Sequence, residues 1–139
     1  MKQITLGSLE SISLPALGVF DVLAKVDTGA WSGALHCTNI HERDGVLSFW
    51  PLGDKRLKIQ TNEYNTTSVR STNGQSAKRY LISTKVVIDG TEYDTVIGLS
   101  DRTTMTREML LGRRFLIENN VVVDVSKTKD MDNEAEKFL

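Results

Sequence analysis

Ala24-Lys25-Val26-Asp27-Thr28-Gly29-Ala30 brings an apolar approach to a lone carboxylate, followed at once by a hydroxyl and a glycine. An acid so placed sits where a buried strand ends and the backbone turns, and the glycine lets N–H groups come close to the carboxylate. Held that way, one ionised carboxyl can activate water while a second, protonated one polarises the bond under attack. The chain offers no second Asp-Thr-Gly or Asp-Ser-Gly: Asp89-Gly90 falls in a predicted turn, Asp94-Thr95 runs into Val96, and Asp124 is followed by Val125. Paired-acid hydrolysis therefore predicts a symmetric homodimer in which Asp27 meets its own copy across the two-fold axis. Two carboxyls at such range cannot both ionise, so the pair would titrate in two coupled steps. Taken alone, Asp27 reads first as a turn or cap residue at a strand end, ahead of catalysis.

Three further groups could do chemistry. Ser68 to Arg79 is polar and centred on Asn73-Gly74, a tight-turn pair between two extended arms. It predicts a projecting hairpin, the shape a lid needs if it is to open for a peptide and then exclude water. Arg70, Lys78 and Arg79 flank the tip, where they could meet substrate carboxylates or simply be solvated charges. Asp101, Arg102 and Arg113 lie in segments otherwise ready for burial; Arg113 is expected to tie its helix to the loop near Asp27, or to Asp101 by an ion pair. His36, Cys37 and His41 are metal-friendly, but strand alternation puts His36 on the face opposite both Cys37 and His41. No metal site and no cofactor are expected, and there is no phosphate-cradling Gly-x-x-x-x-Gly-Lys-Ser/Thr loop.

The elements that must position these groups read as strands. Period-two alternation broken by Gly, Asn and Asp runs through most of the 139 residues, a length suited to one domain. Two short strands are expected before Leu14, split at Gly7-Ser8. Pro15 to Gly18 reads as a turn, and Val19 to Val26 as a strand with Phe20, Val22, Ala24 and Val26 on one face. Ala34 to His41 and Val46 to Trp50 pair around Asp44-Gly45, Leu57 to Gln60 is a weaker strand, and Tyr80 to Ile88 pairs with Thr91 to Leu99 around Asp89-Gly90. Met109-Leu110-Leu111-Gly112 precedes a short helix over Arg113 to Asn119 and an apolar strand over Val121 to Val125. Residues 1–126 form the expected domain, and 127–139 a charged tail or interface strand ending in Phe138-Leu139. Seventeen basic against eighteen acidic residues give no global pull toward nucleic acid or an anionic membrane. One cysteine, no apolar run of spanning length and no signal-like segment suggest a reduced, cytoplasmic setting.

Asp27-Thr28-Gly29-Ala30, a flap-like hairpin and Leu110-Leu111-Gly112-Arg113, in that order, resemble the signature of retropepsin-type aspartic proteases. The longer set is more specific: Ala24 to Ala30, Ser32, Ala34-Leu35-His36, Arg70-Ser71, Asn73-Gly74, Asp101-Arg102, Met105 and Leu110 to Leu116. It resembles a bacterial and archaeal family formerly labelled ATP-dependent zinc proteases and regrouped as retropepsin-like endopeptidases. Some of its members are associated with an ATP-grasp ligase that adds glutamate residues to a ribosomal protein.

The resemblance implies an all-β, acid-protease-like closed barrel with one short C-terminal helix, one lobe per chain. It implies Asp27, Thr28 and Gly29 as catalytic, with Thr28 bonding across the dimer axis and the Gly29 N–H serving the carboxylates. Ala30, Arg70, Asn73, Gly74 and Arg79 would contact the substrate, and Asp101, Arg102, Leu111, Gly112 and Arg113 would support the site. The partners implied are a second copy of the chain, a peptide or glutamyl-rich protein, and an ATP-grasp ligase. Two alternatives stay open: a non-cleaving peptide-binding or regulatory module on the same fold, and a zinc-dependent protease. Trp31, where many retropepsins place a further carboxylate, either shapes a subsite, lines the dimer interface or packs in the core.

Overall fold

A computed structural model of the chain describes residues 2–70 and 73–131. Its strands are β1 (Ile4–Leu6), β2 (Leu9–Leu14), β3 (Val19–Val26), β4 (Gly33–Arg43), β5 (Val46–Pro51), β6 (Ile59–Thr61), β7 (Asn65–Arg70), β8 (Ser76–Ile88), β9 (Thr91–Ser100), β10 (Met109–Leu111) and β11 (Val121–Val123), with helix α1 (Arg113–Glu118) between the last two. The short strand β10 closes the fold. It runs parallel to β3, with Leu110 opposite Lys25, and antiparallel to β4, with Met109 opposite Leu35. The ring β3-β2-β8-β9-β4-β10 is thereby shut into a barrel, which leaves no free edge along that path. This is the closed all-β barrel with a short C-terminal helix that the sequence predicts.

The barrel interior holds Ile12, Leu14, Leu35, Ile97, Met109 and Leu111, all but sealed from solvent. Burial of that apolar surface is the main stabilising term, at about 25 cal/mol per Å² removed from water. Two hairpins set the register around it. Asp44-Gly45 and Asp89-Gly90 have φ of 53° and 75°, and of 50° and 77°, the positive pairs whose twist matches the strands they join.

Local chemistry shifted three expected elements. In β3, Asp21 takes φ of 53° and the β2–β3 register slips between Ile12 and Leu14, so the side-chain alternation resets. Val19 is buried, and Phe20, expected on the inner face with Val22, Ala24 and Val26, stands 61% exposed. Before β6, the Asp54 side chain accepts from the Arg56 N–H and caps a 3₁₀ turn over Lys55–Leu57, delaying the strand to Ile59. After β11, the Asp124 carboxylate accepts from the Ser126 N–H and hydroxyl, so the strand stops at Val123 and Val125 is exposed.

β11 pairs in parallel with β1, and the chain then runs back over the β1–β2 junction. Lys127 Nζ donates to the Thr5 carbonyl at 2.7 Å and to Glu10 at 3.2 Å, and Thr128 Oγ1 accepts from the Leu9 N–H at 3.3 Å. The rest of the expected tail, residues 132–139, lies outside the described residues. Among the described residues no helix is long and apolar enough to cross a membrane.

Cys37 lies in β4 with no exposed surface, and burial pushes its thiol up to about 12 against the Leu52 backbone hydrogen bond. A raised pKa contributes stability that is full below the unfolded value of 9.0 and is lost as pH climbs toward the folded one. At pH 8 the folded protein is therefore expected to react with a thiol-specific disulfide reagent at least about a hundredfold more slowly than the urea-unfolded chain. Comparing the two rates by absorbance checks this, and equal rates would place Cys37 outside the core.

Candidate active site

Asp27 directly follows β3, and its N–H donates to the Leu111 carbonyl at 2.9 Å, extending the β3–β10 ladder by one residue. The carboxylate is half-buried, and its Oδ1 accepts from the Gly29 N–H at 2.9 Å. Thr28 and Gly29 form the exposed crest of the turn, and the Ala30 N–H returns to the Asp27 carbonyl at 3.4 Å. The helix start holds the far side. Arg113 N–H donates to the Ala30 carbonyl at 2.7 Å, and Arg114 N–H to Trp31 at 3.0 Å. The opening donors of α1, which a helix cannot satisfy internally, are thus spent on the acidic loop.

Gly112 permits that crossing. A Cβ there would lie 2.5 Å from the Ser32 carbonyl carbon and 2.6 Å from the Trp31 oxygen, both backbone. The Arg113 side chain adds a clamp: one guanidinium nitrogen donates to the Thr28 carbonyl at 3.0 Å, while its carbon sits 5.7 Å from the centre of the Trp31 ring. Of the two ties expected of Arg113, the one to the Asp27 loop forms. Asp101 instead accepts from the Thr103 N–H and hydroxyl, which hold its carboxyl below the usual carboxylate range. Trp31 is 52% exposed beside the loop, so it is not a core aromatic.

The lid-like hairpin is longer than its polar stretch, since β7 starts at Asn65 and pairs with β8 through Arg70, opposite Ser76. Asn73 and Gly74 are exposed at its turn, with the Asn73 side chain accepting from the Gln75 N–H and Gly74 at φ of 85°. Ser71 and Thr72 lie outside the described residues. Lys78 Nζ binds Glu42 of β4 at 2.8 Å, where the Tyr64 and Tyr80 hydroxyls also converge. These bonds, Lys78 first and Tyr64 next, keep the Glu42 carboxyl below its ordinary value. No local pattern in the sequence signals this latch, because positions 42 and 78 meet only through the sheet order β8-β9-β4.

Arg79 emerges on the other face and lies across Gly98, where a Cβ would come within 2.8 Å of its Cδ. Arg102 completes the group. Burial lowers its pKa first, the charge of Arg79 lowers it further, and Asp27 pulls it back up. Asp27, Arg79 and Arg102 therefore share one electrostatic neighbourhood, and among the described residues neither arginine forms an ion pair. Arg79 also lines a groove of about 500 Å³ with Ile40, Ala77, Lys78, Tyr80, Leu99 and Ser100. The Ser100 hydroxyl is buried without a partner.

His36 and Cys37 are both buried, and His41 is exposed beyond a register shift in β4. His36 Nδ1 accepts from the Arg102 N–H at 2.8 Å, and among the described residues no three His, Cys, Asp or Glu side chains converge as a metal set.

A family model described as retropepsin-like aspartic endopeptidase RimB matches residues 5–134. The chain belongs to this RimB-like family. It is 33% identical over 132 residues to a protein of Shewanella pealeana named a probable alpha-L-glutamate ligase, covering 88% of this chain and 29% of that one. A protein of Parasynechococcus marenigrum with the same name is 34% identical over 132 residues, covering 88% and 28%. The chain thus spans less than a third of the length of the curated relatives it matches. Among solved structures, a Legionella pneumophila protein of unknown function shares the fold, with a TM-score of 0.58 at 23% identity over 89% of this chain and 94% of that one.

Gly112→Ala should lower stability by about 2–3 kcal/mol, because backbone must move to admit the methyl. Urea unfolding followed by tryptophan fluorescence would measure it; a loss below about 0.5 kcal/mol would mean that the crossing is not tight.

Proposed function

We propose that this chain is one half of an aspartic peptidase, and that association with an identical copy brings two Asp27 carboxyls together to activate water. The observation that carries the reading is the half-buried Asp27 carboxylate on a turn fixed from both sides, by Leu111 behind and the Gly29 N–H in front. One carboxyl of the pair would take a proton from water while the other, protonated, donates to the carbonyl oxygen, with no covalent intermediate and no cofactor. Thr28 would bond across the two-fold axis, Ala30 would leave room for substrate, and the hairpin tip at Asn73-Gly74 would close over the peptide.

The substrate class follows from charge. Arg102 feels the charges of both Asp27 and Arg79, and among the described residues neither arginine has a carboxylate of its own, so an acidic or glutamyl-rich peptide fits the vacancy in charge, with Arg70 on the opposing arm of the hairpin. The bond cut would be a peptide bond or an isopeptide-like glutamyl bond. The names of the longer relatives favour a second reading: a non-cleaving module that holds glutamylated peptide for an ATP-grasp ligase.

A peptide-library digest by wild type beside Asp27→Asn distinguishes the two. Cleavage should fall by about 10³-fold or more in the variant, in line with loss of a general acid–base group, while its fold and dimer mass are kept. Cleavage that survives the substitution, or sedimentation as a monomer at every concentration at which wild type cleaves, would end the paired-acid reading. Binding of acidic peptides without cleavage would favour the module.

Arg79→Ala should reduce kcat/KM for Glu-rich peptides about tenfold or more and for neutral ones by less than about threefold. Equal losses on both would mean that Arg79 does not read substrate charge.

A further inference from the structure

His36 holds both ends of the segment from Asp101 to Glu108. Its backbone N–H donates to the Glu108 carbonyl at 2.7 Å, and its ring Nδ1 accepts from the Arg102 N–H at 2.8 Å. Its carbonyl accepts from the Leu52 N–H at 2.8 Å, which locks the residue to the turn after β5. In register it stands opposite Ser100, the residue from which the segment departs. The segment has few other fixings: the Asp101 carboxylate closes a turn onto Thr103, the Met105 N–H donates to the Arg102 carbonyl, and Arg102 Nε donates to the Arg107 carbonyl at 2.9 Å. Met105, midway along, is exposed.

Nδ1 accepts through its ring lone pair, and the Asp101 carboxylate oxygen lies 3.9 Å from the same nitrogen. A half-buried N–H that lost this acceptor would open to solvent, leaving the Arg102 side chain held by its Nε bond to the Arg107 carbonyl. The side chain this bond aims is the guanidinium that feels both Asp27 and Arg79.

We propose that His36 is a positioning residue: its Nδ1 fixes the backbone of Arg102 and so sets where that guanidinium, itself bonded to the Arg107 carbonyl, stands for an acidic substrate. The role in substrate capture rests on the peptidase reading; the backbone role does not. His36 touches no reacting atom, and its effect passes through Arg102. Its removal should therefore weaken capture of acidic substrate and leave the chemical step nearly intact.

His36→Leu removes the acceptor, and His36→Asn places an amide oxygen near the Nδ1 position. Amide exchange read by NMR should show the Arg102 N–H exchanging about tenfold faster or more in the Leu variant, and within about threefold of wild type in the Asn variant. With acidic peptides, KM should rise about tenfold in His36→Leu with kcat changed less than about threefold, and His36→Asn should recover it. Arg102→Ala should raise KM as much while keeping its own N–H protected, and adding His36→Leu to it should cost no further KM. Unchanged Arg102 exchange in His36→Leu, or an Asn variant that behaves as the Leu variant does, would overturn the proposal. So would additive KM losses in the double variant. Should wild type cleave nothing, the peptidase reading fails by itself, and the exchange comparison still decides for or against His36 as the anchor of Arg102. Peptide affinity, measured on the Asp27→Asn background, then replaces KM.

Discussion

The structure turns on the contact between two backbones, the acidic loop after β3 and the strand-to-helix junction at Gly112. Four hydrogen bonds cross it, from Asp27, Arg113 and Arg114 main-chain N–H groups and the Arg113 side chain, and a side chain at position 112 would force the Trp31-Ser32 backbone to move. The same junction carries β10, the strand that closes the barrel between β3 and β4. Barrel closure and placement of the carboxylate are therefore one event: the loop cannot shift without opening the seam. That rigidity is what a group needs if it is to hold water at a fixed angle, since misplacement by an ångström costs orders of magnitude in rate.

Around this fixed centre the fold arranges charge unevenly. Lys78 is absorbed by the Glu42 latch, and Arg113 is spent on the Thr28 carbonyl and the Trp31 ring. Arg79 and Arg102 form no ion pair among the described residues, and Arg102 feels the Asp27 charge. The two guanidinium groups repel one another, and Arg102 is partly desolvated, so positive charge there is left uncompensated. Gly98 lets one of them lie flat against β9, and the 101–108 segment delivers the other. The β7–β8 hairpin is tied to Glu42 of β4 through Lys78 and carries an exposed glycine turn at its tip.

Much of the strand order was legible, because alternation and Asp-Gly turns are local signals: both tight hairpins and the boundaries of β3 fall where the pattern puts them. The failures have physical causes. Phe20 turned outward because a positive φ at Asp21 and the register slip reset the parity of the strand. The strand before Gln60 was shortened by the Asp54 cap, and the last strand by the Asp124 turn, two side-chain-to-backbone bonds that compete with a ladder. His36 read as a weak metal ligand because its partner, the Arg102 N–H, lies 66 residues away.

By itself the sequence determined that a single carboxylate would end a buried strand ahead of a glycine turn, that a glycine-tipped hairpin would follow, and that a glycine would start the only well-signalled helix. Those are properties of neighbouring residues, fixed by sterics and periodicity. What only the tertiary structure decided is which charges remain for a ligand. Whether an arginine is consumed by a carbonyl, a carboxylate or nothing at all depends on strands far apart in the chain being brought to one barrel rim, and no local pattern encodes that pairing.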